Sequence, residues 1–132
     1  MVSFTSFHME DGPPIYLQIV GHVKRMVAAG AAADQEELPS RRVLSATLGV
    51  NPNTVQNAYR ILEEEGLMES RTGAKSVLTL NEEKVAAIRR QLVEGEAASL
   101  VALLKGTGFS REETLSLVVR LWDTVAEEGG RT

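Results

Sequence analysis

The sequence predicts a mainly α-helical chain with a small β-hairpin. Three observations predict it. Apolar residues recur at helical spacing in five segments, two of those segments are separated by only a few residues around Gly49, and beyond Gly66 the pattern changes to two short strand-like runs about a turn.

Residues 1–12 carry no sustained period and read as a flexible leader. After Pro13 and Pro14, the residues Ile15, Ile19, Val23, Met26 and Val27 share one helical face, with Pro at a tolerated first-turn position and Gly30 as the stop. A first helix is expected over about 14–29. Residues 31–37 form a connector leading through Leu38 and Pro39 to Ser40, an N-cap for a short helix that carries Val43, Leu44 and Leu48 inward and ends at Gly49. Val50 is the apolar plug of the turn that follows. Asn51 then caps a third helix that opens with Pro52 and runs to about Glu65, burying Val55, Ala58, Tyr59 and Leu62, with Gly66 beyond it. Two helices joined so tightly, the second beginning with small polar side chains, form a helix-turn-helix pattern.

Residues 67–70 read as a short strand, 71–74 as a turn and 75–80 as a second strand, a hairpin whose tip carries Arg71 and Lys75. Residues 13–80 therefore predict a winged helix-turn-helix. Next, Asn81 caps a helix holding Val85, Ile88, Leu92, Leu100 and Leu103, with Gly95 a weak point, until Gly106, Thr107 and Gly108 break it. Ser110 and Glu113 stand at capping-box spacing, and the last helix places Leu115, Val118, Val119, Trp122 and Val125 on one side. Two such helices cannot hide both apolar faces on each other. Residues 81–128 thus read as a two-helix C-terminal dimerisation hairpin, covered by the same hairpin of a second subunit, and 129–132 as a flexible tail.

Fourteen Lys and Arg against 18 Asp and Glu leave a net charge of -4, which argues at first sight against a nucleic-acid partner. The local balance differs: between residues 38 and 62, Arg41, Arg42 and Arg60 stand without an acidic residue. The absence of cysteine excludes disulfide frameworks, thiol nucleophiles and the common zinc patterns, and points to a reducing, cytoplasmic setting. No secretory-signal pattern or membrane-length apolar run is present. His8 and His22 have no acid and nucleophile at triad spacing, and His22 is expected at the edge of its helix face. Glu63, Glu64 and Glu65 point different ways around a helix. No enzyme activity, cofactor or metal site is expected.

DNA binding needs groups that hold phosphates and groups that read base edges. Ser40, Arg42 and Lys75 suit phosphates. Asn53, Thr54, Gln56 and Asn57 are the base-reading candidates, because Asn and Gln pair bidentately with adenine and Thr can also touch a thymine methyl. Asn51 and Arg60 are assigned to the backbone, and Arg71 to the wing. An ordinary antiparallel helix hairpin would need no such row of polar side chains on the outer face of its second helix.

The string LPSRRVLSATLGVNPNTVQNAYRILEEEGLMESRTG closely resembles the DNA-binding domain of the GntR family of bacterial regulators, and PIYLQIVGHVKRMVAAG extends the match through the first helix. Leu-Pro-Ser, Arg42, Leu-Gly-Val, Asn-Thr-Val and Glu-Gly-Leu fall at the expected separations, over about half the chain. The short C-terminal region resembles the YtrA-like subgroup, in which two helices dimerise the protein and no large effector domain follows. The resemblance implies a homodimer on an inverted repeat of double-stranded DNA, with Arg42, Asn51, Asn53, Thr54, Gln56 and the wing glycine Gly73 near it. Members of the subgroup are often repressors of transporter operons.

Three departures from the family pattern stand out. Ala33, Asp34, Gln35 and Glu36 replace the usual Pro-Gly turn, so this connector is expected to be looser or differently shaped. The wing has Thr72, Ala74 and Lys75 around Gly73 in place of a second glycine and a neighbouring basic residue, and Gln56 stands where many relatives have Arg. The leading reading is a sequence-specific regulator. The alternative is a winged-helix module that binds protein and not DNA, and a small-molecule effector stays open.

Overall fold

The computed structural model describes residues 1–73 and 75–125. Ala74 of the expected turn, residues 126–128 and the expected tail at 129–132 lie outside them. The chain divides into two compact units, Met1–Leu92 and Val93–Thr132.

The first unit contains α1 (Ile15–Ala28), β1 (Glu37–Leu38), α2 (Arg41–Leu48), α3 (Pro52–Glu64), β2 (Met68–Arg71) and β3 (Lys75–Leu78), together with the first part of α4 (Glu82–Gly106). The local sequence accounts for the helix ends. The Ser40 side chain accepts from the Val43 amide at the head of α2, and Gly49 ends that helix at φ +70, in the left-handed region that glycine enters without a Cβ clash. The Asn51 side chain accepts from the Asn53 amide, and Pro52 takes the first position of α3, where no helical donor is lost.

Val55, Ala58, Tyr59 and Leu62 form the inner face of α3 and meet Ile19, Val23 and Val27 of α1 and Leu44 of α2 in one core. Full burial of a Val or Leu side chain stabilises by about 1.5–3 kcal/mol, so this stripe is what fixes α3 in place. Val43 does not share it. It is exposed, because the packed face of α2 is built from Leu44, Ser45 and Leu48, and the neighbouring position is turned about 100° away.

The sheet has three antiparallel strands in the order β1-β3-β2. Met68 pairs with Leu78 at the buried end of the hairpin, followed outward by Glu69 with Val77, Ser70 with Ser76 and Arg71 with Lys75. The two-residue β1 was not expected; it is too short to show a two-residue period, and it exists because Glu37 and Leu38 pair with Val77 and Ser76.

The leader is not loose. Val2 is buried and its amide donates to Glu37 O, while Phe4 and Phe7 pack on the core. Between them lies His22, whose Nε2 is 2.8 Å from Ser3 O and whose ring is 4.7 Å from that of Phe4. The Gln18 amide accepts from Glu10 N and donates to the carbonyls of Glu10 and Pro13. The short apolar residues of the leader have no period because each fills a different gap. His22 accordingly lies inside this packing and not at its edge.

The connector is also ordered. Gln35 takes φ +68, the left-handed conformation that glycine would adopt freely, and donates its amide to Leu78 O. Asp34 accepts from the Leu80 amide, and the Glu36 carboxylate accepts from Ala33 N.

Asn81 caps α4 through the Lys84 amide, and the helix continues through Gly95 without a break. Ile88 is buried in the first unit's core, with Val85 and Leu92 packed against it. These three residues were expected in the dimerisation surface; the structure assigns them to the core of the winged unit, so the division falls after Leu92 and not at residue 80.

The second unit holds the rest of α4 and α5 (Arg111–Trp122). A full capping box at Ser110 and Glu113 starts α5 as expected. Leu104 is buried, whereas Leu100, Leu103, Leu115, Val118, Val119, Trp122 and Val125 are exposed.

Candidate nucleic-acid interface

The interface is built from the head of α2, the outer face of α3 and the hairpin. Because Val55, Ala58, Tyr59 and Leu62 fix the inner face of α3, the intervening positions are turned outward. Asn53, Gln56 and Arg60 are exposed, and Thr54 and Asn57 are half-buried. Among the described residues, the Asn53, Thr54 and Gln56 side chains make no hydrogen bond, so their donors and acceptors are available to a ligand. The capped helix starts at Ser40 and Asn51 add amide donors and a positive dipole end, both suited to phosphate.

The basic residues fall into two groups. Arg42 and Lys75 are exposed and, among the described residues, form no ion pair or side-chain hydrogen bond. Arg60 instead donates to Asn57 Oδ1 at 3.2 Å and lies 3.7 Å from Glu64. Arg71 donates to Glu69 Oε1 at 2.7 Å and to Gln35 Oε1 at 2.6 Å. The Arg60 and Arg71 guanidiniums are thus each already next to a carboxylate. Gly73 has φ +81, a conformation that glycine adopts without the Cβ strain other residues pay. Thus Asn57 and Arg60 are brought together on α3, and Arg71 and Lys75 form the outermost described rung of the hairpin.

The sequence reading missed Arg41 as more than a contributor to the local charge. Its guanidinium lies over the Tyr59 ring, 5.2 Å from the centroid, and 3.1 Å from Glu63 Oε1. The available signal was the spacing of Tyr59 and Glu63, one turn apart on α3.

Residues 15–77 match the model of the bacterial regulatory proteins of the gntR family. These residues form a GntR-family helix-turn-helix domain. The chain is 38% identical over 92 residues to the HTH-type transcriptional repressor YtrA of Bacillus subtilis (strain 168), a match covering 70% of this chain and 66% of that protein. It therefore spans just under two thirds of that relative's length. It is 29% identical over 106 residues to the HTH-type transcriptional regulator YhcF of the same organism, covering 80% of this chain and 88% of the relative. A GntR family transcriptional regulator from Listeria monocytogenes superposes with a TM-score of 0.75 at 26% identity, over 85% of this chain and 98% of that one. The relatives matched over this region are named HTH-type transcriptional regulators.

The exposed amides of Asn53 and Gln56 suit base edges, and Arg42 and Lys75 supply cations not already paired with carboxylates. Among the described residues, no group of His, Asp and Glu is placed to hold a metal ion, and no helix is long and apolar enough to cross a membrane.

Proposed function

We propose that this protein is a repressor that binds an inverted-repeat operator as a homodimer in the cytoplasm. The observation that carries the reading is the start of α3. Asn53 and Gln56 present unused amide groups on the outer face of a rigidly packed helix, directly after a turn whose preceding helix begins with Ser40 and the unpaired Arg42. In this reading α3 enters the major groove, Asn53, Thr54, Gln56 and Asn57 meet base edges, and Ser40, Arg42, Asn51, Arg60 and the wing residues Arg71, Gly73 and Lys75 follow the backbone.

The exposed apolar residues of the second unit support a dimer. Leu100, Leu103, Leu115, Val118, Val119 and Trp122 would be removed from water by a second copy, which also supplies the two-fold symmetry an inverted repeat requires. Repression is favoured by the name of the B. subtilis relative. Control of a transporter operon, implied by the subgroup resemblance, completes the proposal.

A gel-shift and footprinting experiment on the DNA upstream of the protein's own gene and its neighbours tests this reading. The expected result is a salt-sensitive shift and two protected half-sites centred about 34 Å apart or a multiple of it. Absence of any salt-sensitive shift at protein concentrations that form the dimer would favour a protein-binding role for the winged unit.

A further inference from the structure

Arg41 and Arg42 are adjacent and both basic, but Arg41 is paired with a carboxylate whereas Arg42, among the described residues, has no partner. Arg41 opens α2, half-buried, with its guanidinium over Tyr59 of α3 and its Nη2 on Glu63 Oε1. Its Nη1 reaches Ser76 Oγ on β3 at 3.5 Å, and the other Glu63 oxygen, Oε2, accepts from Ser70 Oγ on β2 at 3.3 Å. Ser70 and Ser76 are opposite each other in the antiparallel register. One ion pair between the two helices of the helix-turn-helix therefore holds both ends of a single rung of the wing.

The location matters because the hairpin leaves the core there. Met68 and Leu78 are buried at its base, whereas Glu69, Ser70 and Arg71 along β2 are exposed. Beyond the base, β3 keeps Ser76 and Val77 buried and paired with β1, whereas β2 exposes Glu69, Ser70 and Arg71, so polar contacts hold this outer strand of the wing against the helices. Ser76 is itself 2% exposed, which makes its hydroxyl contact one that water cannot easily replace. The face of Tyr59 holds the guanidinium in plane, and Arg, with its rigid fork, can serve Glu63 and Ser76 at once where Lys offers a single point charge.

We propose that Arg41 and Glu63 are positioning residues: as a pair they grip the Ser70–Ser76 rung and fix the wing relative to the recognition helix α3. The pairing also neutralises Glu63, a carboxylate on the helix that must approach phosphates. The wing-holding role stands apart from the proposed operator binding; its effect on DNA affinity rests on that reading.

The test uses the full chain carrying Arg41→Met, which keeps the apolar stem on Tyr59 and removes the fork, beside Arg41→Lys and Glu63→Gln. Two readouts are taken: amide hydrogen exchange by segment, and affinity for operator DNA with and without Lys75→Ala. The expected result is exchange at least tenfold faster in 68–71 and 75–78 with α1 and α3 unchanged in Arg41→Met, a smaller change in Arg41→Lys, and at least tenfold weaker operator binding. The penalty of Lys75→Ala should shrink in the Arg41→Met background, because a wandering wing no longer presents that lysine. Should Arg41→Met fail to fold, Glu63→Gln decides by the same exchange readout. Unchanged protection of the wing strands, or a uniform rise in exchange across the first unit, would overturn the proposal. If the unsubstituted protein binds no DNA, the operator reading fails while the exchange result still decides the role of the pair.

Discussion

The Tyr59 hydroxyl donates a 2.6 Å hydrogen bond to the carbonyl of Pro39, twenty residues earlier and also buried. The bond joins the middle of the recognition helix to the residue immediately before the Ser40 cap, so it sets where α2 begins relative to α3. Burial pushes the Tyr59 hydroxyl well above its ordinary range, keeping it protonated as a donor. Tyr59→Phe retains the ring under Arg41 but leaves the Pro39 carbonyl unsatisfied, which costs about 1–3 kcal/mol. Urea denaturation should show the midpoint falling with an unchanged slope. An unchanged midpoint would mean that water replaces the hydroxyl.

Base reading and phosphate binding separate in the next pair of variants. Gln56→Ala removes a side chain with no internal partner among the described residues, so its effect on fold stability should be within about 0.5 kcal/mol. On DNA it should cost about 1–3 kcal/mol against the preferred base pair and little against random sequence. Lys75→Ala should weaken both and reduce the salt slope by about one charge. Fluorescence anisotropy across a salt series distinguishes the two patterns, and equal losses for Gln56→Ala on both DNAs would remove its base-reading role.

How much of this was legible in the sequence follows from which interactions are local. Ser40, Asn51, Ser110 and Glu113 cap the helix starts where spacing placed them, because a cap involves residues two or three apart. The inner face of α3 was legible for the same reason. The leader, β1 and the Arg41–Glu63 pair were not, because each depends on a partner brought near only by folding. Val2 needs Glu37, Glu37 needs Val77, and Arg41 needs Tyr59 and Glu63. Periodicity failed differently along α4. Val85, Ile88 and Leu92 do lie on an apolar face, but periodicity says only that a face is buried and not by what.

The buried leader gives the protein a pH dependence with a definite sign. Desolvation lowers the pKa of His22 below its ordinary 6.5, opposed by the Ser3 hydrogen bond and reinforced by nearby Arg25. Its neutral form is therefore the one the folded state holds. The unfolded chain binds a proton near pH 6.5, so this contribution is fully present above that pH and is lost as pH falls through 6.5 towards the lower folded value. Asp34, held down by the Leu80 amide, and Glu113, held down by Ser110, lose their contributions only at lower pH, in the carboxylate range. Denaturation midpoints at pH 7.5 and 5.5 should differ for the parent protein and differ less for His22→Gln, which keeps a donor for Ser3 O without the titration. An identical pH response in the variant would place the effect elsewhere.

The two units should respond oppositely to substitution. Ile88 is 2% exposed within the first unit, so Ile88→Ala should cost about 2–5 kcal/mol through the lost transfer energy and the cavity left behind. Val119 is 71% exposed on α5, and Val119→Glu should leave the thermal stability of the first unit nearly unchanged while placing a charge where the proposed dimer needs apolar surface. Sedimentation equilibrium should show a dimer for the parent protein and a monomer, or a far weaker dimer, for Val119→Glu. Operator affinity should fall with it, since a monomer loses the second half-site and the effective concentration that linkage provides. A Val119→Glu protein that remains a dimer would show that α5 is covered by something other than a second copy, or by nothing, and the apolar residues of the second unit would then need a different partner.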